Sequence, residues 1–130
     1  AYSGVSVDIP GYGYELQVPY DVCCCTAACL MVSKKKYLEV DGLNEELKVA
    51  FNDVDFGLKL LKAGYRNVMM PNVKLYHYES KSRGMDKSAE QLKRYYAECD
   101  YMKEHWNAYI EHDPFYNDNY SKNSDYQLQE

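Results

Sequence analysis

The stretch "AFNDVDFGLKLLKAGYRNVMMPNVKLYHYESKSRG", residues 50–84, changes hydrophobic period partway along, and that change constrains the fold more than any other feature. Val54, Leu58, Leu61 and Lys62 recur at helical spacing, with Phe56 and Leu60 widening the apolar face, and Gly64 stands where a helix-ending glycine belongs. Asn52 or Asp53 is the expected N-cap. "YRNVMM" then reads as a strand, Pro71-Asn72 as a turn, and "VKLYHYES" as a second strand of period two. Helix and strands in this succession predict an α/β fold.

The remaining segments fit one domain of 130 residues with a modest core. Residues 1–20, rich in Gly, Pro and Tyr, form a loop-rich entry. Residues 21–86 form the α/β core. Within it "DVCCCTAACLMVS" is a nearly continuous apolar run, expected to be a buried strand or two broken around Thr26-Ala27-Ala28. The small side chains there suit close approach of a ligand or tight packing against a helix. Ser33 can cap a short helix through "KKKYLEV" that stops at Asp41-Gly42, and "GLNEELKVAF" is irregular. A long helix occupies 87–112, opened by a Ser88/Gln91 capping box. Its stripe of Leu92, Tyr95, Tyr96, Cys99, Met102, Trp106, Tyr109 and Ile110 is expected to dock on the α/β layer. The polar tail, 113–130, is expected to be ordered only in its first few residues.

Composition excludes some classes. A net charge of −5 without a basic stripe gives nucleic-acid binding no support. No apolar run reaches the ~20 residues of a membrane helix, and no signal peptide is expected. The five cysteines, Cys23, Cys24, Cys25, Cys29 and Cys99, lack zinc spacing and read as buried free thiols of a reducing cytoplasm. A thiol-based or zinc site at Cys23 to Cys29 is the rival reading, testable by elemental analysis. Fifteen tyrosines suit an interface or sugar-binding surface as well as a bare compositional bias.

Two positions apart, Asp53 and Asp55 cannot share a helical face, so they do different jobs. Asp53, at the helix mouth, can serve as a proton acceptor, while Asp55 can bond free backbone N–H groups of the first turn. Spacing alone favours both as caps. His77 falls at the carboxyl end of its strand, where α/β proteins place ligands, or is a hydrogen-bonded core residue.

The blocks "PGYGYEL" (10–16), "TAACLMVSKKKYLEVDGLNEEL" (26–47), "FNDVDFGLKLLKAGYRNVMMPNVKLYHYESKSRG" (51–84) and "HWNAYIEHDPFYNDN" (105–119) resemble, in order and spacing, the carboxyl-terminal half of family 2 glycosyltransferase domains. The group is that of multidomain proteins building rhamnan, O-antigen and other surface polysaccharides. The resemblance implies a partial GT-A type, Rossmann-like fold: an acceptor-side half with a mixed sheet and a long C-terminal helix. It implies transfer of a sugar from a nucleotide-sugar to a hydroxyl of a saccharide or lipid-linked acceptor, with inversion and with Mg or Mn. Asp53 then matches the general base and His77 a metal ligand. Thr26, Ala27, Ala28, Glu45 and Asn52 would lie near the acceptor, and Ser82 and Arg83 near the donor phosphates. Asp41-Gly42 stands for the usual Gly-Gly, and Asn44 for the usual Asp. The nucleotide-binding half, with most of the metal ligands, is expected before residue 1, so the chain alone is expected to be inactive. Its exposed sheet edge predicts self-association, visible by light scattering. A cytoplasmic location, peripheral at the inner membrane face, would follow. The alternative is a non-catalytic carbohydrate-binding or assembly module that keeps the fold.

Overall fold

The computed structural model describes residues 6, 8–75, 88–122 and 128. It is a mixed α/β structure in which one central helix, α2 (Asn52–Lys62), is packed on two sides. α1 (Lys34–Glu39) and α3 (Ala89–Glu111) supply the flanking helices, and β1 (Tyr20–Val22) and β2 (Asn67–Met69) pair antiparallel as a two-stranded ribbon.

The two-sided burial of α2 follows from its sequence. Leu58, with Val54 and Leu61, packs against Leu47 and against Met102 and Trp106 of α3. Phe56 and Leu60 point the other way, onto Val40, Tyr37 and Tyr65. Phe56 and Leu47 are each 1% exposed, and a fully buried side chain of this kind contributes about 1.5–3 kcal/mol. The helix closes with Gly64 in the left-handed region (φ 84°). Tyr65 N–H donates to the Leu60 carbonyl and Gly64 N–H to that of Leu61, at 3.0 and 2.9 Å. Tyr65 thereby lands on the Leu60 cluster, completing a Schellman motif.

The other caps also follow the local sequence. Ser33 accepts from Lys36 N–H at the head of α1, which ends before Asp41 and Gly42, both at positive φ. Ser88 and Gln91 form the expected reciprocal capping box on α3.

Several expectations give way. α2 is not capped by Asn52 or Asp53: the cap position is Phe51, in the left-handed region at φ 64° and without a side-chain cap bond. The apolar run 21–33 is no buried strand. β1 stops at Val22, Cys23 to Cys25 are half-buried and irregular, and Ala27 to Met31 are exposed. The physical reason is the absence of neighbours among the described residues: a two-stranded ribbon cannot cover both faces of a continuous apolar segment. Among the described residues the sheet is antiparallel, with no parallel pairing of the expected mixed sheet. Of the second expected strand, Val73 to Leu75 are irregular and exposed, and the rest lies outside the described residues. Only part of the α3 stripe docks. Met102 and Trp106 are buried, whereas Leu92, Tyr95, Tyr96 and Ile110 are exposed. The tail is held further than expected: Lys122 Nζ bonds the Glu111 carbonyl and carboxylate, and Tyr116 donates to the Ser121 carbonyl.

A two-stranded ribbon is marginal alone, and Asn67 stitches this one to α2. Its amide, 8% exposed, donates to the carbonyls of Cys23 and Gly57 at 2.7 and 2.8 Å. The approach is close enough that a Cβ on Gly57 would sit 2.6 Å from Cys24 Cβ and 2.8 Å from its Cα. A bare glycine is what lets the 23–24 backbone lie against the helix.

Candidate active site

The mouth of α2 is built under strain. Phe51 is a bulky residue at positive φ, a conformation costing on the order of 1–3 kcal/mol and concentrated at functional sites. α3 supplies the compensation. The Phe51 ring tilts on Tyr95 with centroids 5.8 Å apart. Glu98, 3% exposed, accepts from the N–H groups of Val49 and Ala50 at 3.2 and 2.8 Å. Charge-assisted bonds of this type are about twice as strong as neutral ones. The chain is thus drawn onto α3 immediately before α2 begins, which fixes the direction in which Asn52 and Asp53 emerge.

Asp53 is half-buried and held at both oxygens. Oδ2 accepts from Ala27 N–H at 2.9 Å, and Oδ1 from Val54 N–H at 3.0 Å. The first bond joins residues 26 positions apart and brings the helix mouth to the Thr26–Ala28 turn. That turn is a 3-10 segment, Ala27–Cys29, whose cap Thr26 accepts from Ala28 N–H with its hydroxyl. All three turn residues are exposed. Each Asp53 oxygen keeps a second lone-pair site beyond its backbone bond, so the carboxylate can still receive a proton.

Asp55 does a different job, and not the one its place in the first turn suggests. It is 1% exposed, and its Oδ1 accepts from Trp106 Nε1 at 2.8 Å rather than from free backbone N–H groups. Lys59 Nζ lies 3.5 Å from Oδ2 and donates to the Gly42 carbonyl. Asp55 is therefore the polar pin between α2 and α3.

Of the residues expected near an acceptor, Thr26, Ala27, Ala28 and Asn52 gather around Asp53. Glu45 lies exposed beside a shallow depression of about 440 Å³ that it shares with Asp41, Asp55, Lys59 and Tyr101. His77, Ser82 and Arg83 lie outside the described residues. Among the described residues no group of three or more His, Cys, Asp or Glu is placed to hold a metal ion, and no helix is long and apolar enough to cross a membrane.

The structure adds neighbours that spacing did not point to. Burial pushes the Cys24 thiol up to about 11, and the Asp53 charge adds to the shift ahead of smaller contributions from Cys25 and Asp113. Burial likewise pushes Cys23 up to about 12, followed by the hydrogen bond its thiol donates to Asp113 Oδ1 at 3.1 Å. All five cysteines are free, four are half-buried rather than buried, and Cys29 is exposed. Two raised thiols thus stand neutral at physiological pH beside the site. The only sequence signal for Asp113 is the turn-forming Asp-Pro pair that follows α3.

Comparison with known proteins finds similarities that include the following three. Over 110 residues, 84% of the chain, it is 44% identical to the uncharacterized protein y4gI of Sinorhizobium fredii (strain NBRC 101917 / NGR234). Over 61 residues, 47% of the chain, it is 33% identical to N-acetylglucosaminyl-diphospho-decaprenol L-rhamnosyltransferase of Mycobacterium tuberculosis (strain ATCC 25618 / H37Rv). A stretch of the same length is 34% identical to the O-antigen biosynthesis protein RfbC of Myxococcus xanthus. The matched segments span 12%, 20% and 5% of these relatives' lengths. No family model and no solved structure matches. At the coarse level, about half of the chain is glycosyltransferase-like in sequence, in that it is similar to part of a rhamnosyltransferase and to part of an O-antigen biosynthesis protein.

Proposed function

We propose that the chain supplies the base-bearing, acceptor-side part of an inverting glycosyltransferase of the family 2, GT-A type, acting in cell-surface polysaccharide synthesis. The observation that carries this reading is the 2.9 Å bond from Ala27 N–H to Asp53 Oδ2, which sets a half-exposed carboxylate against an exposed turn of small residues. An acceptor hydroxyl lying over Thr26, Ala27 and Ala28 meets the free lone pairs of Asp53. As its oxygen forms the new bond to the anomeric carbon, the bond to the nucleoside diphosphate breaks and the hydroxyl proton passes to Asp53. The backbone bonds to Ala27 and Val54 hold the carboxylate still while this happens, so orientation does not have to be bought at the moment of reaction.

Ser82 and Arg83 are proposed contacts of the donor phosphates, where a guanidinium would match the leaving charge. The described residues do not by themselves form a metal site of three or more His, Cys, Asp or Glu. Donor binding on this reading needs a nucleotide-binding half outside residues 1–130, and the chain alone is expected to show no turnover.

The test is Asp53→Asn in a polypeptide that joins this segment to its nucleotide-binding half. Turnover falls about 10²–10⁴-fold with folding intact if Asp53 is the base. Unchanged turnover removes that role. A polypeptide with no turnover that still binds saccharide would favour the non-catalytic module instead.

A further inference from the structure

The segment after α3 turns back toward the site instead of leaving it. Asp113 Oδ1 accepts from Phe115 N–H at 2.8 Å, forming a local turn, and from the Cys23 thiol at 3.1 Å, a contact spanning 90 positions of sequence. Further along, Lys122 ties back to Glu111 by an ion pair of 3.0 Å. The Tyr120 hydroxyl bonds that of Tyr12, their rings edge to face, so the segment also reaches the entry turn. Residues 113–122 therefore form a strap from the end of α3 to the amino-terminal turn, and Asp113 is the point at which it grips the segment leading from β1 to Ala27.

That grip adds a side-chain hydrogen bond to a segment otherwise held through its backbone and by packing. Cys23 is held by its carbonyl through Asn67, and Cys24 rests on Gly57. The Cys23 side chain packs against the Leu47, Leu58, Met102 and Trp106 cluster, and its thiol is directed by the bond to Asp113. We propose that Asp113 is a positioning residue for the Asp53 site: by holding the Cys23 thiol it sets residues 23–27 so that Ala27 N–H meets the Asp53 carboxylate. The inference rests on the glycosyltransferase reading for its purpose, but its geometry stands apart from turnover. The neutral state of the Cys23 thiol agrees with this geometry, since the thiol must keep its proton to donate to Asp113.

The experiment uses the chain as described, with circular dichroism as the check on folding. Two readouts are taken on Asp113→Ala and Asp113→Asn: hydrogen exchange at the Ala27 amide, and alkylation of Cys23 by iodoacetamide at mildly alkaline pH, followed by peptide mass spectrometry. Asp113→Ala removes both bonds, so Ala27 exchange accelerates and Cys23 alkylates about threefold faster for each unit its pKa falls. Asp113→Asn keeps an oxygen that accepts from both partners, so Ala27 protection is retained while Cys23 still gains reactivity from the lost charge. A merely structural Asp113 would move the melting temperature without this split between the two variants.

Unchanged Ala27 exchange in a folded Asp113→Ala chain overturns the proposal. If that variant does not fold, Cys23→Ala breaks the same contact from the other side, and unchanged Ala27 exchange there overturns it equally. Neither result touches the role of Asp53, which is read from turnover of Asp53→Asn.

Discussion

Trp106→Phe tests the pin that seats α2 on α3. The indole N–H is the hydrogen-bond donor to Asp55 Oδ1, at 2.8 Å, and Asp55 Oδ2 has no hydrogen-bond partner. With Asp55 only 1% exposed, no water replaces the lost donor, and the nearest cation, Lys59 at 3.5 Å, already donates to the Gly42 carbonyl. A hydrogen bond to a charged group contributes about 1.5–3 kcal/mol, and the smaller ring costs about 1 kcal/mol more in lost packing. The expected loss is therefore ~3 kcal/mol. With a urea slope of about 1–2 kcal/mol per M for a domain of this size, the midpoint falls by about 2 M. Far-UV circular dichroism is the assay, because Trp106 is the sole tryptophan and the variant has no indole emission to follow. Asp55→Leu completes a double-mutant cycle, since an apolar residue of similar size leaves no carboxylate to be stranded. The reasoning is refuted if Trp106→Phe costs under about 0.5 kcal/mol, or if the two substitutions add without a coupling of at least about 1 kcal/mol.

Two further outcomes follow from the same packing. Gly57→Ala puts a methyl 2.6 Å from Cys24 Cβ and 2.8 Å from backbone, so α2 and the 23–24 segment must separate; a loss of about 1–3 kcal/mol is expected on thermal melting, along with faster exchange at Ala27. The raised thiols make stability depend on alkaline pH. Cys23 and Cys24 bind their protons more tightly folded than unfolded, so their contribution is complete below the unfolded value of 9.0 and is lost as pH climbs toward about 11 and 12. Urea midpoints measured across that window should fall in the native chain and fall less in Cys23→Ala/Cys24→Ala; equal slopes would contradict the assignment.

Much of the local structure was legible in the sequence because it depends on residues a few positions apart. The Ser88/Gln91 capping box, the Ser33 cap and the Gly64 terminus all need only neighbours within a turn of chain, and each forms as its residue types demand. The separation of Asp53 from Asp55 was equally readable, because helical geometry sends positions two apart in different directions. Where Asp55 would point was not readable, since its partner Trp106 lies 51 positions away. The Phe51 conformation ran against local rules altogether. Phenylalanine has no intrinsic reason to adopt positive φ, and the supports, Tyr95 and Glu98, sit on a helix that spacing arguments treat separately.

The apolar run at 21–33 shows the complementary limit. Its composition reads as buried strand, but a strand is buried only where other strands and helices cover it, and the described chain offers one partner, β2, over three residues. What the sequence alone determined is thus where α1 and α3 begin and where α2 ends. Tertiary structure alone decided that Asp53 faces Ala27, that Asp55 is consumed by Trp106, and that Asp113 returns to Cys23. Hydrogen bonds between groups tens of residues apart leave no periodic trace in a chain, and their partners are selected only once packing has brought them within about 3 Å of one another.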